Sequence, residues 1–317
     1  MSVTAIRGVH RPTNGRTLRF GIVAYGAGEA NTCLAAGHVE GFDEVRLLSP
    51  VEALALLRPG DVALGRLDVR ETLDGIEDGL WALSRLAASG VTVFNPPNAL
   101  VAAHDKLVTA RSLARARLPH PRTEVVGPRA ARQTLDPPIV LKPRFGSWGR
   151  DVTLCADGNE LAGCLAELET RSWFHQHGAL AQELVRPLGH DLRILVAAGQ
   201  VVGAIKRVAA PGEWRTNIAL GGTRMPVVPP PAASELAIAA AAAIGADLVA
   251  VDLLPTGPGR FCVIELNGAA DFGLEYSLGV NVFEAVLEVL AHAACGKPEP
   301  EPQPGVDLPE SEAGALV

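Results

Sequence analysis

Short apolar runs alternate with polar and glycine-containing breaks over the first hundred residues: LRFGIVAY at 18–25, then VRLLSP, DVALGR and VTVFNP. Runs of this length, rich in Val, Ile and Leu, predict strands buried on both faces. The stretch from Gly79 to Ala88 has helical spacing. Strands separated by helices are the βαβ pattern of an open parallel sheet, so residues 1–100 predict a small α/β domain. GAGEAN at 26–31 follows the first run like half of a dinucleotide fingerprint, but Asn31 stands where the third glycine belongs, and the segment is read as a structural turn.

NPPNAL at 95–100 interrupts the pattern with two prolines and marks a boundary. Beyond it, residues 101–117 predict one helix. PPIVLKPRFGSWGRDVTLC reads as strand, glycine-containing loop and strand. WFHQHGALAQELV to GHDLRILVAAGQVVGAIKR adds three strand-like runs, with Gly199-Gln200 as a hairpin turn. Ser234 to Ile244 predicts an alanine-rich helix stopped by Gly245. LVAVDLLP and RFCVIELNG predict a strand pair joined by TGPG, and a last helix covers about Asn281 to Ala294. The division expected is 1–100, 101–185 and 186–297, with a Pro- and Glu-rich tail at 298–317 expected to be disordered.

Composition narrows the function. The 317 residues carry 35 acids against 28 bases and only 4% aromatics, which disfavours a nucleic-acid partner. The five cysteines, Cys33, Cys155, Cys164, Cys262 and Cys295, are scattered without a C-x-x-C pair, as in a protein with reduced thiols in the cytoplasm. The first twenty residues lack the order of a signal peptide. The longest low-charge stretch, Leu236 to Leu254, contains Asp247 and Asp252, so no membrane span is expected.

Three oxygen-bearing side chains stand out inside apolar strands. Glu265 and Asn267 are two apart on an extended segment and share a face. If Asp252 lies on the neighbouring antiparallel strand, three oxygen donors converge in a set that suits Mg²⁺. Lys142 ends the apolar run PPIVL, as either a ligand-facing cation or a snorkelling side chain. The following RFGSWGRD offers Gly146, Ser147, Trp148 and Gly149, the composition of a phosphate cradle, though not a Walker motif. His175-x-His177 has no third ligand nearby and is read as a solvated loop.

The ordered series AHDK, IVLKPRFGSWGRD, QELV, HDLR, AIKR, WRTNIALGG, VDLL and IELNG resembles the ATP-grasp superfamily, and within it the RimK-like and LysX-like amino-acid ligases, over about residues 18–295. The fold this implies is ATP-grasp, α+β in its ATP-binding half, behind the N-terminal open parallel α/β domain. The resemblance implies that Lys106 and Lys142 contact nucleotide phosphates under the GSWG loop, with Gln182, Glu183 and Val185 at the adenine hinge and Asp191 on the ribose. It gives Asp252, Glu265 and Asn267 to Mg²⁺ or Mn²⁺, and Arg193, Arg207, Arg215 and Asn217 to the γ-phosphate and a substrate carboxylate, chiefly Arg207.

The activity implied is ADP-forming ligation of a carboxylate to an amino acid or other amine through an acyl phosphate. The acceptor implied is a small molecule, a peptide or a carrier protein, and the assembly a homo-oligomer. A small-molecule kinase and an inactive ATP-binding regulatory module are the competing readings. NGAADFG after the E-x-N strand, and Leu220 where relatives often carry a basic residue, depart from the ribosomal-protein glutamate ligases. Both departures fall on the acceptor side.

Overall fold

A computed structural model describes residues 17–127 and 134–296. The expected tail at 298–317 lies outside the described residues. The N-terminal part runs β1 (Arg19–Val23), α1 (Glu29–Ala35), β2 (Glu44–Leu48), α2 (Pro50–Leu56), β3 (Val62–Gly65), α3 (Leu80–Ala88) and β4 (Thr92–Phe94). Its strands form a parallel sheet in the order β2-β1-β3-β4. Ser49 and Glu52 close a reciprocal capping box on α2, which fixes where that helix starts. GAGEAN forms the turn into α1, and Asp271 occupies the helix end by accepting from the Ala30 amide at 2.8 Å.

The two prolines open a helix, because proline suits the first helical turn, where an N–H has no partner anyway. The single helix expected over 101–117 is two, α4 (Pro97–His104) and α5 (Lys106–Arg115), broken at Asp105. Asp105 leaves the helical region at φ −83°, ψ 97°, and its carboxylate caps the Leu107 and Val108 amides.

A second sheet, order β5-β8-β6-β7, is antiparallel and contains β5 (Thr123–Val126), β6 (Ile139–Pro143), β7 (Thr153–Cys155) and β8 (Ala179–Glu183). Helices α6 (Gly158–Leu168) and α7 (Ser172–His177) join β7 to β8. The third sheet, order β11-β10-β9-β12-β13, is antiparallel. It holds β9 (His190–Ala197), β10 (Gln200–Val208), β11 (Thr223–Pro226), β12 (Leu248–Gly257) and β13 (Arg260–Asn267), with α8 (Pro231–Ile244) before β12 and α9 (Val282–Gly296) last. Ala198 and Gly199, both at positive φ, make the β9–β10 turn.

One face of the third sheet packs on α8, where Ala233, Ala237, Ala240 and Ala241 let helix and strands approach closely. The other shares a core with α9 and the first sheet, Leu195, Leu248 and Ala250 lying in one cluster with Phe20, Ile22 and Leu287. The second sheet has its own core around Trp173, Phe174 and Leu141. The space between the second and third sheets is where the polar residues gather.

Candidate functional site

Strand register builds the charged floor. Across three neighbouring strands of the third sheet, Arg193, Asp252 and Glu265 stand directly opposite one another, and Arg207 stands opposite Asp191. Opposed residues on neighbouring strands point to the same face. Arg193 donates from Nε and Nη2 to the two Asp252 oxygens, both at 2.7 Å. Arg207 donates to Asp191 from Nε at 2.8 Å and Nη2 at 2.5 Å, and to Asp252 from Nη2 at 2.7 Å. Thr216 adds its hydroxyl to Asp191. The buried Arg207 and part-buried Arg193 thus share two buried aspartates. Burial alone raises the Asp252 carboxyl, but the Arg193 and Arg207 guanidiniums outweigh it and hold that carboxyl well below the usual range.

This network sets how two of the expected site residues are held. Asp191 lines the cleft and accepts from Arg207 and Thr216, so it anchors the Arg207 guanidinium. The Arg207 fork is spent on Asp191 and Asp252, so a bidentate grip on a substrate carboxylate is not available there. Arg215 is likewise forked onto Glu213, at 3.0 and 2.8 Å, and its Nη1 reaches the Val152 carbonyl. Of the acids that hold these cations, Asp191 and Asp252 were expected at the site in other roles and Glu213 was not singled out.

The roof is the glycine loop between β6 and β7. Trp148, Gly149 and Asp151 have positive φ, conformations that cluster at ligand-gripping loops. A Cβ on Gly149 would lie 3.0 Å from Asn217 Oδ1, so only glycine lets the loop settle on the Trp214–Asn217 segment. Lys106 Nζ donates to the Gly146 carbonyl at 2.5 Å and stands 3.5 Å from Glu265, tying roof to floor. Arg144 forks onto Asp105 at 2.7 and 2.6 Å. Asp105 was not singled out in the sequence, although an aspartate just before a helical lysine is a capping signal.

Lys142 resolves as the cleft-facing alternative: it is buried, lines the cleft and donates to Gln182 Oε1 at 2.7 Å. Burial pushes its ammonium down to about 8, with Glu265 opposing. Gln182 in turn donates to Thr123 at 2.8 Å, so its side chain faces inward beside the lysine.

One cleft, between the second and third sheets, is lined by Lys106, Lys142, Gly146 to Gly149, Gln182, Glu183, Val185, Asp191, Arg207, Arg215, Asn217, Asp252 and Glu265. Arg193 and Asn267 line a second cavity beside it, which reaches to the first sheet. Lys106, Gly146, Ser147, Trp148, Arg207, Asn217 and Glu265 border both. His175 and His177 lie on α7, not in a loop, and bond separate carbonyls, those of Glu169 and Asp74.

The trio Asp252, Glu265 and Asn267 offers oxygen donors only, as a hard divalent cation requires. Glu265 meets its cations at 3.5 and 3.9 Å, beyond hydrogen-bond length. Asp252 accepts three hydrogen bonds of the roughly four a carboxylate can take. The donor set therefore fits Mg²⁺. Among the described residues, no group of three or more His, Cys, Asp and Glu side chains is gathered so as to hold a metal ion, and the trio here relies on the Asn267 amide for its third oxygen.

A family model described as the RimK-like ATP-grasp domain matches residues 103–290. The chain is 31% identical over 276 residues to a tetrahydromethanopterin:alpha-L-glutamate ligase of Methanosarcina acetivorans, covering 75% of this chain and 84% of that protein. It is 28% identical over 238 residues to the glutamate–LysW ligase ArgX of Sulfurisphaera tokodaii, covering 73% and 84%. Its fold is that of a D-alanine–D-alanine ligase from Bacillus anthracis complexed with ATP, at TM-score 0.65 and 14% identity over 88% of this chain and 97% of that one. A RimK domain ATP-grasp protein from Sphaerobacter thermophilus superposes at TM-score 0.58 and 22% identity, over 86% and 99%.

Proposed function

The chain belongs to the RimK-like ATP-grasp family, and we propose that it is an ADP-forming ligase that joins a carboxylate to the amine of an amino acid. The observation that carries this reading is the meeting of the two cavities: the residues bordering both are a lysine, the glycine loop, an arginine, an asparagine amide and Glu265. A phosphoryl group at that junction is open to one reactant from each side.

In the first step a substrate carboxylate oxygen bonds to the γ-phosphorus of ATP, the bond to the β–γ bridging oxygen breaks, and ADP leaves. In the second, the amine nitrogen bonds to the acyl carbon, the carbon–oxygen bond to phosphate breaks, and phosphate and a proton depart. Two anions must approach in the first step, so fixed cations have to offset charge as it develops. Lys142 supplies one at the end of β6, oriented by Gln182. Lys106 supplies another, and its bond to Gly146 holds the loop backbone over the phosphates. Arg207, its charge shared with two aspartates, gives the junction a fixed polar wall. Asn217, against Gly149, is placed to donate its amide to the tetrahedral oxyanion of the second step. Glu183 and Val185 present strand-end backbone to the adenine edge.

Asp252, Glu265 and Asn267 would hold Mg²⁺ or Mn²⁺, which neutralises phosphate oxygens when bound. The relatives named for glutamate make L-glutamate the first amine to test, with a small molecule, a peptide or a carrier protein as the carboxylate partner. We further take the three sheets as the three units expected at 1–100, 101–185 and 186–297, in a homo-oligomer of the cytoplasm. Five free thiols are compatible with that compartment. No helix among the described residues is long and apolar enough to cross a membrane.

The test is a product assay over candidate carboxylates with L-glutamate. ADP and phosphate that appear only when both substrates are present support the reading. Pyrophosphate, or ADP formed with a phosphorylated product and no amine, overturns it.

A further inference from the structure

Lys142 is held by a chain of hydrogen bonds that runs out of the nucleotide cleft to the third sheet. Gln182 stands directly opposite Thr123 on β5. Lys142 stands opposite Leu180, two residues before Gln182 on β8, so the three polar side chains share one face of the second sheet. Lys142 Nζ donates to Gln182 Oε1 at 2.7 Å, and Gln182 Nε2 donates to Thr123 Oγ1 at 2.8 Å. Beyond Thr123 lies His120, in the segment between α5 and β5. Its Nε2 is 3.3 Å from Thr123 Oγ1, and its Nδ1 is 2.8 Å from the Val263 carbonyl of β13. The Val263 amide donates in return to the Pro119 carbonyl at 2.9 Å, so two bonds to one residue dock the segment on β13.

Counting donors fixes the direction of every bond. A carbonyl can only accept, so His120 carries its proton on Nδ1, and the neutral ring leaves Nε2 as an acceptor. Burial keeps the ring neutral at ordinary pH by pushing its pKa down to about 4. The Thr123 hydroxyl therefore has two acceptors for its one proton, His120 Nε2 and the Pro121 carbonyl at 3.0 Å, and its oxygen is left to accept. Gln182 satisfies that oxygen only with its NH₂ end, which turns Oε1 toward the lysine. An ammonium has three donors and no acceptor. The opposite orientation of the amide would set a donor against it, where both side chains are buried.

We infer that Thr123 is a positioning residue for Lys142, acting through the Gln182 amide, and that His120, docked on β13, holds Thr123 in its accepting role. This rests on the ligase reading above, in which Lys142 meets the nucleotide phosphates. It gives a part in nucleotide binding to two side chains outside the lining of the cleft, and it fastens the lysine of the second sheet to the third-sheet strand that carries Glu265.

The experiment is fluorescence titration of the full chain with Mg²⁺ and a non-hydrolysable ATP analogue, between about pH 7 and 9.5. The charges acting on Lys142 from other elements are Glu265 of β13, which favours the ammonium, and Lys106 of α5, which opposes it. Both stay in place throughout. Thr123→Val keeps the β-branched shape and loses the hydroxyl, so the Gln182 amide is free to turn. It should weaken the nucleotide about fivefold at neutral pH. The fall in affinity with rising pH should also begin lower than in the wild type, because the ammonium has lost its acceptor. Thr123→Ser returns the hydroxyl and should restore both. His120→Asn keeps a donor toward Val263 and removes the Nε2 acceptor. It should weaken the nucleotide, by less than Thr123→Val does, because the Pro121 carbonyl still takes the hydroxyl proton. In a Lys142→Met chain, where no charge is left to position, Thr123→Val should change affinity less than about twofold.

Wild-type affinity and pH profile in Thr123→Val overturn the inference. So does an equal loss in the wild-type and Lys142→Met backgrounds, which makes Thr123 a prop for its strand and nothing more. Unchanged affinity in His120→Asn overturns the share given to His120. In each of these cases the wild-type chain still binds nucleotide, and the ligase reading stands. A Lys142→Met chain that binds like the wild type removes the lysine from the phosphates, and this inference with it. No nucleotide binding by the wild type at any pH removes the ligase reading as well.

Discussion

At the scale of single residues, the site is governed by what each charge is paired with. Lys142 is the clearest case, because burial has moved its ionisation to about 8, into the working range. Below that pH the ammonium is present and available to a phosphate; above it the charge is lost. ATP affinity should therefore fall as pH rises through about 8, and Lys142→Arg, charged throughout, should flatten the profile in fluorescence titration. The same shift acts oppositely on the empty protein. The unfolded lysine holds its proton up to about 10.4, so apo stability should gain between the two values as pH rises. A wild-type affinity flat from pH 7 to 9.5 would falsify the assignment of Lys142 to the phosphates. Glu265 differs in having no short hydrogen bond to lose. Glu265→Gln should leave the melting temperature nearly unchanged, lower kcat on the order of 100-fold, and raise the Mg²⁺ concentration needed for half-maximal ADP release. Normal Mg²⁺ dependence in that variant would remove the metal assignment.

At the scale of elements, the break between α4 and α5 decides where Lys106 points. Residues 101–117 have a continuous helical pattern, and nothing in their spacing marks an interruption. What interrupts them is Asp105, which gives up helical geometry to cap α5 and to receive the Arg144 fork from the glycine loop. Asp105→Ala should cost about 3 kcal/mol, roughly 1 for the cap and the remainder for an Arg144 left without its partner. Asp105→Asn keeps the cap and loses only the ion pair, so it should cost less. Chemical denaturation of the two variants separates the contributions, and equal losses would show that capping plays no part. Both should also weaken ATP binding, since the helix start and the glycine loop lose their common anchor.

For the molecule as a whole, the first and third sheets are joined at Asn95. It lies at φ 50°, a conformation asparagine tolerates better than most residues. Its Oδ1 accepts from the Asp247 and Leu248 amides at 2.9 and 3.0 Å, and its Nδ2 donates to the Leu248 carbonyl at 2.7 Å. The Asp247 carboxylate answers by accepting from the Asn95 amide at 2.8 Å. Asn95→Ala strands three backbone groups and should destabilise by about 3 kcal/mol at roughly 1 per bond. A variant as stable as the wild type in urea would show that the shared core alone holds the sheets together.

The residues that line the cleft were legible in the sequence because chemistry there contradicts its surroundings: Asp252, Glu265 and Lys142 sit in apolar strands where an idle charge would be costly. Strand periodicity placed Glu265 and Asn267 on one face, and the βαβ alternation gave the parallel first sheet, since both are local properties of the chain. The pairings were not local. Arg207 and Asp191 are sixteen residues apart, Arg193 and Asp252 fifty-nine, and only the register of β9, β10 and β12 brings them into contact. Hence the partners that hold Arg207 in place, Asp191 and Asp252, could be read only from the folded chain.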